Sequence, residues 1–470
     1  MSRGRRVRMA DVVRRRRTPR LDAVSALALI IPLVTVGVLA LVRQPPVHDQ
    51  HLAPRLTDLT NATVVCPAPA GRGTTAWVST ASGASGQVSV RRAGAASSLP
   101  IRTGSPSRLT GAGAAVVKAA GDLAPGLLGL RAGTTPVTSE DCGVPSSTQW
   151  FTGLGAGATH DSVIELVNPD AGPADADITL YGRRPFTARR LHGITIPANR
   201  TVSLDLGVIA PRRALLSAQV QVTRGRLGVH VVDSRTDLTS HRVRQEWVPR
   251  QLAPALDSQL LGLPTGHGTR TLQLGNPGTD VVRVQVKVIT GDTSFAPAGL
   301  GTISVSAGAT RSVPLTQVLD KALRDGALGV EVTADGPVTS SLLTDLGTDL
   351  ALTVPDTVVS DRAATLLPVA PGAKATPVAP TLYTSADSAG AATVRAYAAS
   401  GRTLLRKRVG QQQGHTVAVR LPRGTAYLSV EPDSTELRAA VVLSGDGASV
   451  IPLHELLTRG LVPQIRPGSS

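Results

Sequence analysis

Polar and apolar positions alternate along most of this chain. In LVNPDAGPADADITLYG (166–182) an apolar run stops at Asn168-Pro169 and a small-residue turn follows. Ala174, Ala176, Ile178 and Leu180 then alternate with polar neighbours up to Gly182. Alternation with a period of two marks a strand with one buried and one solvated face. The pattern returns in LGNPGTDVVRVQVKVITG (274–291): Asn276-Pro277 lies 108 residues beyond Asn168-Pro169, and Gly291 lies 109 beyond Gly182. Weaker copies are YTSADSAGAATVRAYAASG (383–401) and WVSTASGASGQVSVRRAG (77–94). Downstream segments keep the register, ITIPANRTVSLDL (194–206) with ISVSAGATRSVPL (303–315), and AQVQVTRGRLGVHVVDSRTD (218–237) with LGVEVTADGPVTSSLLTDLGTD (328–349). A period near 109 with several internal matches identifies a repeated structural unit.

Each copy predicts about six or seven short strands in roughly 100 residues, with Gly, Pro, Asn and Asp turns between them. That is the size and rhythm of an immunoglobulin-like β-sandwich, whereas propeller blades repeat every ~40–50 residues. The sequence therefore predicts an all-β protein of about four tandem units: 55–147, 148–248, 249–362 and 363–470. As an array, such units add length and present faces at a distance. Helical signal is confined to TQVLDKALRDG (316–326) and IPLHELLTRG (451–460), the second read as a C-terminal tail helix, and PVAPGAKATPVAP (368–380) reads as a linker.

One segment breaks the alternation. Ala23 to Val42 is a 20-residue apolar stretch without a charge, long enough at ~1.5 Å per residue to span a hydrocarbon core of about 30 Å. Residues 1–20 hold nine Arg and one Asp, and 43–54 is a Pro-bearing spacer. The positive-inside rule places the basic 1–22 tail in the cytoplasm and everything after the 23–42 transmembrane helix outside it. A cleaved signal peptide is the competing reading, but VRQPPVHDQ lacks a small-x-small site.

Charge and cysteines agree with that topology. Of the net charge of +16, the first twenty residues carry +8, so the other 450 hold only a mild Arg excess. No basic patch is interleaved with aromatics, which argues against nucleic acid. The two cysteines, Cys66 and Cys142, form an even pair on the oxidising side and predict a disulfide. A redox or metal-binding pair is the alternative, without CxxC spacing or clustered His to support it.

Candidate chemistry is sparse. The nine histidines (His48, His51, His160, His192, His230, His241, His267, His415, His454) are scattered and make no HxH or HExxH set. His454-Glu455 begins like a zincin motif, but Thr458 stands where the second His belongs. His160-Asp161, read as lying in a loop before a strand, supplies too few ligands for a metal. Asp233 and Asp237 in DSRTD echo as Asp345 and Asp349 in DLGTD. Carboxylates copied between modules read as turn residues satisfying backbone N–H groups rather than as a catalytic pair. Trp77 reads as core, and Trp150, Phe151 and Trp247, at unit boundaries, as packing between units rather than a sugar platform. No catalytic, cofactor-binding or metal-ligating residue is assigned, and no cofactor is implied.

The Arg-rich tail, the anchor, LVNP (166–169) and ITIPANRTVSL (194–204) together resemble an actinobacterial family of single-pass membrane-anchored secreted proteins with a domain of unknown function. The Ala-, Gly-, Val- and Arg-rich composition, with only five Lys, fits a GC-rich genome of that kind. The resemblance implies an envelope setting, with members encoded near a large membrane glycosyltransferase, and supplies no catalytic residues. The expected function is a non-enzymatic, membrane-anchored extracytoplasmic scaffold or accessory protein of the bacterial cell envelope. Its expected partners are membrane lipid through the N-terminal helix, an envelope protein such as that glycosyltransferase, and cell-wall glycan. A glycan-binding module or a carbohydrate-active enzyme with an unrecognised site is the alternative.

Overall fold

The computed structural model describes residues 23–41, 54–71, 73–186, 191–368 and 378–462. The basic 1–22 tail, the 43–53 part of the spacer with His48 and His51, and the 369–377 part of the linker lie outside the described residues. The described residues divide between two compact units. One contains the helix Ala23–Leu41, whose nineteen residues carry no charge and include Pro32. The other is Leu56–Leu461. Among the described residues no helix is long and apolar enough to cross a membrane.

The Leu56–Leu461 unit is built of β-strands, as the alternation predicts, and its ladders are antiparallel. In the first copy one sheet runs Asn61–Cys66, Ala115–Ala120, Ser85–Arg92, Ala95–Arg102, and a second runs Ser107–Leu109, Thr75–Thr80, Leu127–Thr134, Val137–Asp141. Val64 and Val88 of one sheet meet Ala76 and Val78 of the other in a common core. The last copy likewise packs two sheets on one core, Leu382 and Val441 against Val394 and Leu428.

The middle copies are organised around long strands. Gly329–Asp345 runs for 17 residues. Its first half pairs with Ala255–Leu261 and Val282–Ile289, its second with Thr269–Asn276 and Leu350–Thr353. In the second copy Thr148–Gly157 pairs with both Arg213–Arg224 and His160–Val167, and its register shifts around Gly153. Gly153 has φ +111°, and a Cβ there would lie 3.0 Å from Gln273 Oε1, so glycine is needed for both backbone and packing.

The copies share cores. Trp77, Leu128, Leu130 and Val137 of the first belong to the same cluster as Val359 of the third and Ala363 to Leu453 of the last. Leu343, Leu350 and Leu352 of the third complete the core of the second. Leu261 and Ile289 pack with Val442 and Val450, and Val65 and Val116 pack with Val167. Each fully buried aliphatic side chain contributes roughly 1.5–3 kcal/mol, so these shared clusters bind the copies into one compact body. The picture of separate units spaced out along an array is replaced accordingly.

The 166–182 stretch behaves as its pattern predicts. His160–Val167 ends just before Asn168, and the next strand, Ala174–Gly182, buries Ala174, Ala176, Ile178 and Leu180. Asn168 is 1 % exposed. Its Nδ2 donates to the carbonyls of Gly172, Ile196 and Pro197 at 2.8, 3.0 and 3.2 Å, and its Oδ1 accepts the Asp170 N–H at 3.0 Å. Asn276 repeats the arrangement on Asp280, Val305 and Ser306 at 2.7, 3.1 and 3.2 Å, with the Gly278 N–H at 2.9 Å. In both copies two amide hydrogens serve three carbonyls at the strand end, where the following proline favours an extended Asn backbone.

One helical expectation holds and one fails. Thr316–Arg324 is a helix that buries Leu319 and Ala322. The 451–460 segment is not: Gly447–Pro452 continues a strand and Arg459–Val462 begins another. The Leu453 N–H donates to the Ala439 carbonyl at 2.8 Å and the Leu456 N–H to that of Arg362 at 2.7 Å. Its donors go to neighbouring chain, and a helix would need them internally.

Replacing Asn168 or Asn276 by Ala leaves buried carbonyls without a donor. Each substitution is expected to lower stability by about 1–3 kcal/mol in denaturant titration, and the pair to add. A loss below about 0.5 kcal/mol at either site contradicts the clamp.

Candidate functional site

The strand Val137–Asp141 lies at the edge of its sheet, paired on one side with Leu127–Thr134. A strand points successive side chains to opposite faces, and here both faces are buried against other copies. Thr138 donates its hydroxyl hydrogen to the Glu246 carboxyl, and Glu140 Oε1 stands 3.6 Å from His230 Nδ1. On the other face Ser139 Oγ is 2.7 Å from Ser449 Oγ, and Asp141 Oδ2 is 4.0 Å from His454 Nε2. One edge strand of the first copy thus takes its polar partners from the second and the last.

The strand is fastened at its end. Cys142 follows directly and is disulfide-bonded to Cys66, as the cysteine pair predicts. Val65 N–H donates to the Gly143 carbonyl at 2.8 Å, and the Val65 carbonyl faces His230 Nε2 at 3.0 Å. A proton on Nε2 makes that contact a hydrogen bond and leaves Nδ1 as the lone pair facing Glu140.

Burial sets the protonation of this cluster. It pushes the Glu140 carboxyl up to about 8, against the pull of Arg250, and His230 down to about 4. The two therefore meet near neutral pH as uncharged acid and uncharged imidazole, not as an ion pair. Glu246, 2 % exposed, is raised well above the ordinary carboxyl range by burial, although Thr138 and the Trp247 N–H oppose the shift. Asp141 is pushed up to about 7 by burial and then by Glu140, with Arg250 opposing. His454 is pushed down to about 3 by burial and then by Arg250.

Asp141 and His454 keep 25 % and 21 % of their side-chain surfaces accessible. Both line a partly open cavity of about 380 Å³, and burial is still the first cause of each shift. Val64, Leu128, Val144 and Leu456 form apolar walls, and Arg250 shares the polar end. A second cavity, of about 320 Å³, is polar and lined by Arg242, Arg244, Gln245, Asp349 and Asp446. Burial raises Asp349 to about 6, but its Oδ2 accepts the Ala448 N–H at 3.1 Å and so secures a turn.

Most residues singled out from sequence lie elsewhere. Asp237 accepts the N–H groups of Thr239 and Ser240 at 2.9 and 2.8 Å, and Asp345 accepts the Gly347 N–H at 2.9 Å and pairs with Arg244. These are turn carboxylates. Asp233 is not: fully buried, it accepts from His160 at 2.7 Å, Ser162 at 2.6 Å and Arg235 at 3.2 Å. His160 opens a strand rather than lying in a loop, and its ring fills the space a Cβ on Gly155 would occupy at 2.4 Å. Ser162 donates to Asp233 and accepts the Gly155 N–H at 2.9 Å, so the trio locks strands together. His454-Glu455 does reach the 380 Å³ cavity. Among the described residues no group of three or more His, Cys, Asp or Glu is arranged to hold a metal ion. Trp77, Trp150 and Trp247 are 8 %, 6 % and 0 % exposed, and Trp150 stacks on Tyr181 at 5.9 Å.

Sequence reasoning passed over Glu140, Asp141 and Arg250, and set His230 aside among scattered histidines. One signal was available: Glu140-Asp141 directly precedes a disulfide cysteine, in a position that folding buries.

The model of the Family of unknown function (DUF5719) matches residues 103–422, which is more than half of the chain. The chain belongs to this family. The DUF5719 match includes the Val137–Asp141 strand, His230, Glu246 and Arg250, and stops short of Cys66 on one side and His454 on the other. No curated protein matches the chain.

The protonation pattern fixes a pH dependence. Glu140 and Asp141 have folded values above their unfolded ones, so their contribution is complete below about pH 4 and is lost as pH rises through 7–8. His230 and His454 are lowered, and theirs is complete above about pH 6.5 and lost as pH falls toward 4. The raised carboxyls outnumber the two histidines, so stability is expected to decline between about pH 5 and 8. Glu140→Gln should make that decline shallower by about one proton, near 1.4 kcal/mol per pH unit. An unchanged slope in denaturant titrations across this range contradicts the assignment.

Proposed function

We propose that the protein is a non-enzymatic, membrane-anchored scaffold or accessory component of the bacterial cell envelope, with its folded body outside the cytoplasm. The observation that carries this reading is the fusion of the four copies into one body through buried clusters and paired polar groups. Buried polar side chains such as Asn168, Asn276, Asp233 and Thr138 are engaged in holding strands together, which suits a rigid platform.

Three further observations support the setting. The helix Ala23–Leu41 is apolar on every side, with Val24, Ile31, Leu33 and Leu39 all more than half exposed. A helix of that kind finds its partner surface in lipid or in another protein. Its nineteen described residues do not make a membrane span by themselves, and the sequence continues the apolar stretch through Val42. Both cysteines are joined in a disulfide, the state favoured in an oxidising compartment. The two-sheet packing in the first and last copies supports reading 55–147, 148–248, 249–362 and 363–470 as immunoglobulin-like sandwich units, modified in the middle by long shared strands. An actinobacterial source belongs to the same reading. The buried tryptophans do not favour a glycan platform, so an envelope protein, such as a membrane glycosyltransferase, is the proposed partner.

Crosslinking of the full-length protein in its native membrane, followed by identification of the captured species, tests the role. The expected product joins it to a membrane protein, and capture of cell-wall glycan alone overturns the scaffold reading. A reporter fused after residue 60 is expected to be active only outside the cytoplasm, and activity only inside overturns the topology.

A further inference from the structure

The 380 Å³ cavity is a built space with one polar end. Its walls are contributed by Val64, Leu127 and Leu128 of the first copy and by Ala364 and Leu456 of the last. Three more lining residues, Leu252, Val358 and Leu457, are 57 %, 37 % and 53 % exposed. Apolar walls with partly exposed apolar side chains favour an aliphatic occupant. At about 30 Å³ per water-sized atom the volume holds roughly a dozen non-hydrogen atoms.

The polar end has unused hydrogen-bonding capacity. Arg250 donates Nη1 to the Val144 carbonyl at 3.3 Å, and a guanidinium has further donors in a planar fork that matches a carboxylate. Asp141 makes no side-chain hydrogen bond among the described residues; the uncharged His454 ring lies 4.0 Å away and the Arg250 charge acts on it. His454 faces the Thr357 hydroxyl through Nδ1 at 3.1 Å. The remaining titratable lining group, Glu455, accepts the Ser360 N–H at 2.7 Å. Burial holds protons on Asp141 and Glu140 and off His454, so Arg250 is the fixed cation at this end.

We infer that this cavity binds an aliphatic carboxylate of about eight to ten carbons, its chain against Leu128 and Leu456 and its carboxylate on Arg250. Asp141, as the acid, donates a second hydrogen bond to the same head group. A cationic head would be placed against Arg250, and a neutral alcohol would leave the guanidinium fork unused, so the geometry selects the anion among ligands of equal length.

Calorimetric titration of the full-length protein in nanodiscs with octanoate, octanol and octylammonium tests this at pH 6. Octanoate is expected to bind at least tenfold more tightly than either of the others. Arg250→Gln is expected to weaken octanoate at least tenfold and leave octanol unchanged, and Ala364→Phe, which fills the cavity, to abolish both. Equal binding of the three probes, tighter octylammonium, or no saturable octanoate binding overturns the inference. The ranking on the unmodified protein decides it even if a variant does not fold.

Discussion

An edge strand that is polar on both faces can be buried only if every side chain along it finds a partner. Val137–Asp141 comes close to that condition by drawing Glu246 and His230 from one neighbour and Ser449 from another, with Asp141, 4.0 Å from His454 at the cavity, left without a side-chain hydrogen bond. Edge strands normally stay solvated or carry charges that keep other chains away. Here the edge is covered by the protein's own later copies, and the disulfide at Cys142 holds it against Asn61–Cys66 while they pack. The shared cluster of Trp77, Leu130 and Val137 with Leu366 and Leu428 depends on the same placement. So do the raised carboxyls and lowered imidazoles, because that burial is what shifts them.

What repeats and what does not repeat have different roles. The Asn168 and Asn276 clamps are the same device in two copies, each closing a strand end on three carbonyls. They account for the conspicuous LVNP and LGNP signals without any ligand. Glu140, Asp141, His230 and His454 instead meet where different copies touch. The cavity at that junction is therefore a property of the assembly of copies rather than of the repeated unit.

Much of the architecture was legible because it is local. Period-two alternation placed Ala174, Ala176, Ile178 and Leu180 on a buried face, and two cysteines allowed one pairing. The junction was not legible, because its residues are scattered between 138 and 454 and share no spacing. The misreading of 451–460 has a related cause. Leucines at 453, 456 and 457 mimic helical spacing, yet Leu453 and Leu456 are fixed by separate strands, at the Ala439 and Arg362 carbonyls. Asp233 was misassigned for the opposite reason: its DSRTD match to DLGTD is real, but its partners His160 and Ser162 lie on another strand some seventy residues away.

Hydrogen exchange measured by mass spectrometry on the oxidised and reduced full-length protein tests the central claim, that the copies form one body held through the Val137–Asp141 strand. Releasing Cys142 should loosen the strand and the partners that depend on it. The account predicts that reduction lowers protection in 228–232 and 449–456 along with 61–66 and 127–141. Loss of protection confined to 61–142 would contradict it.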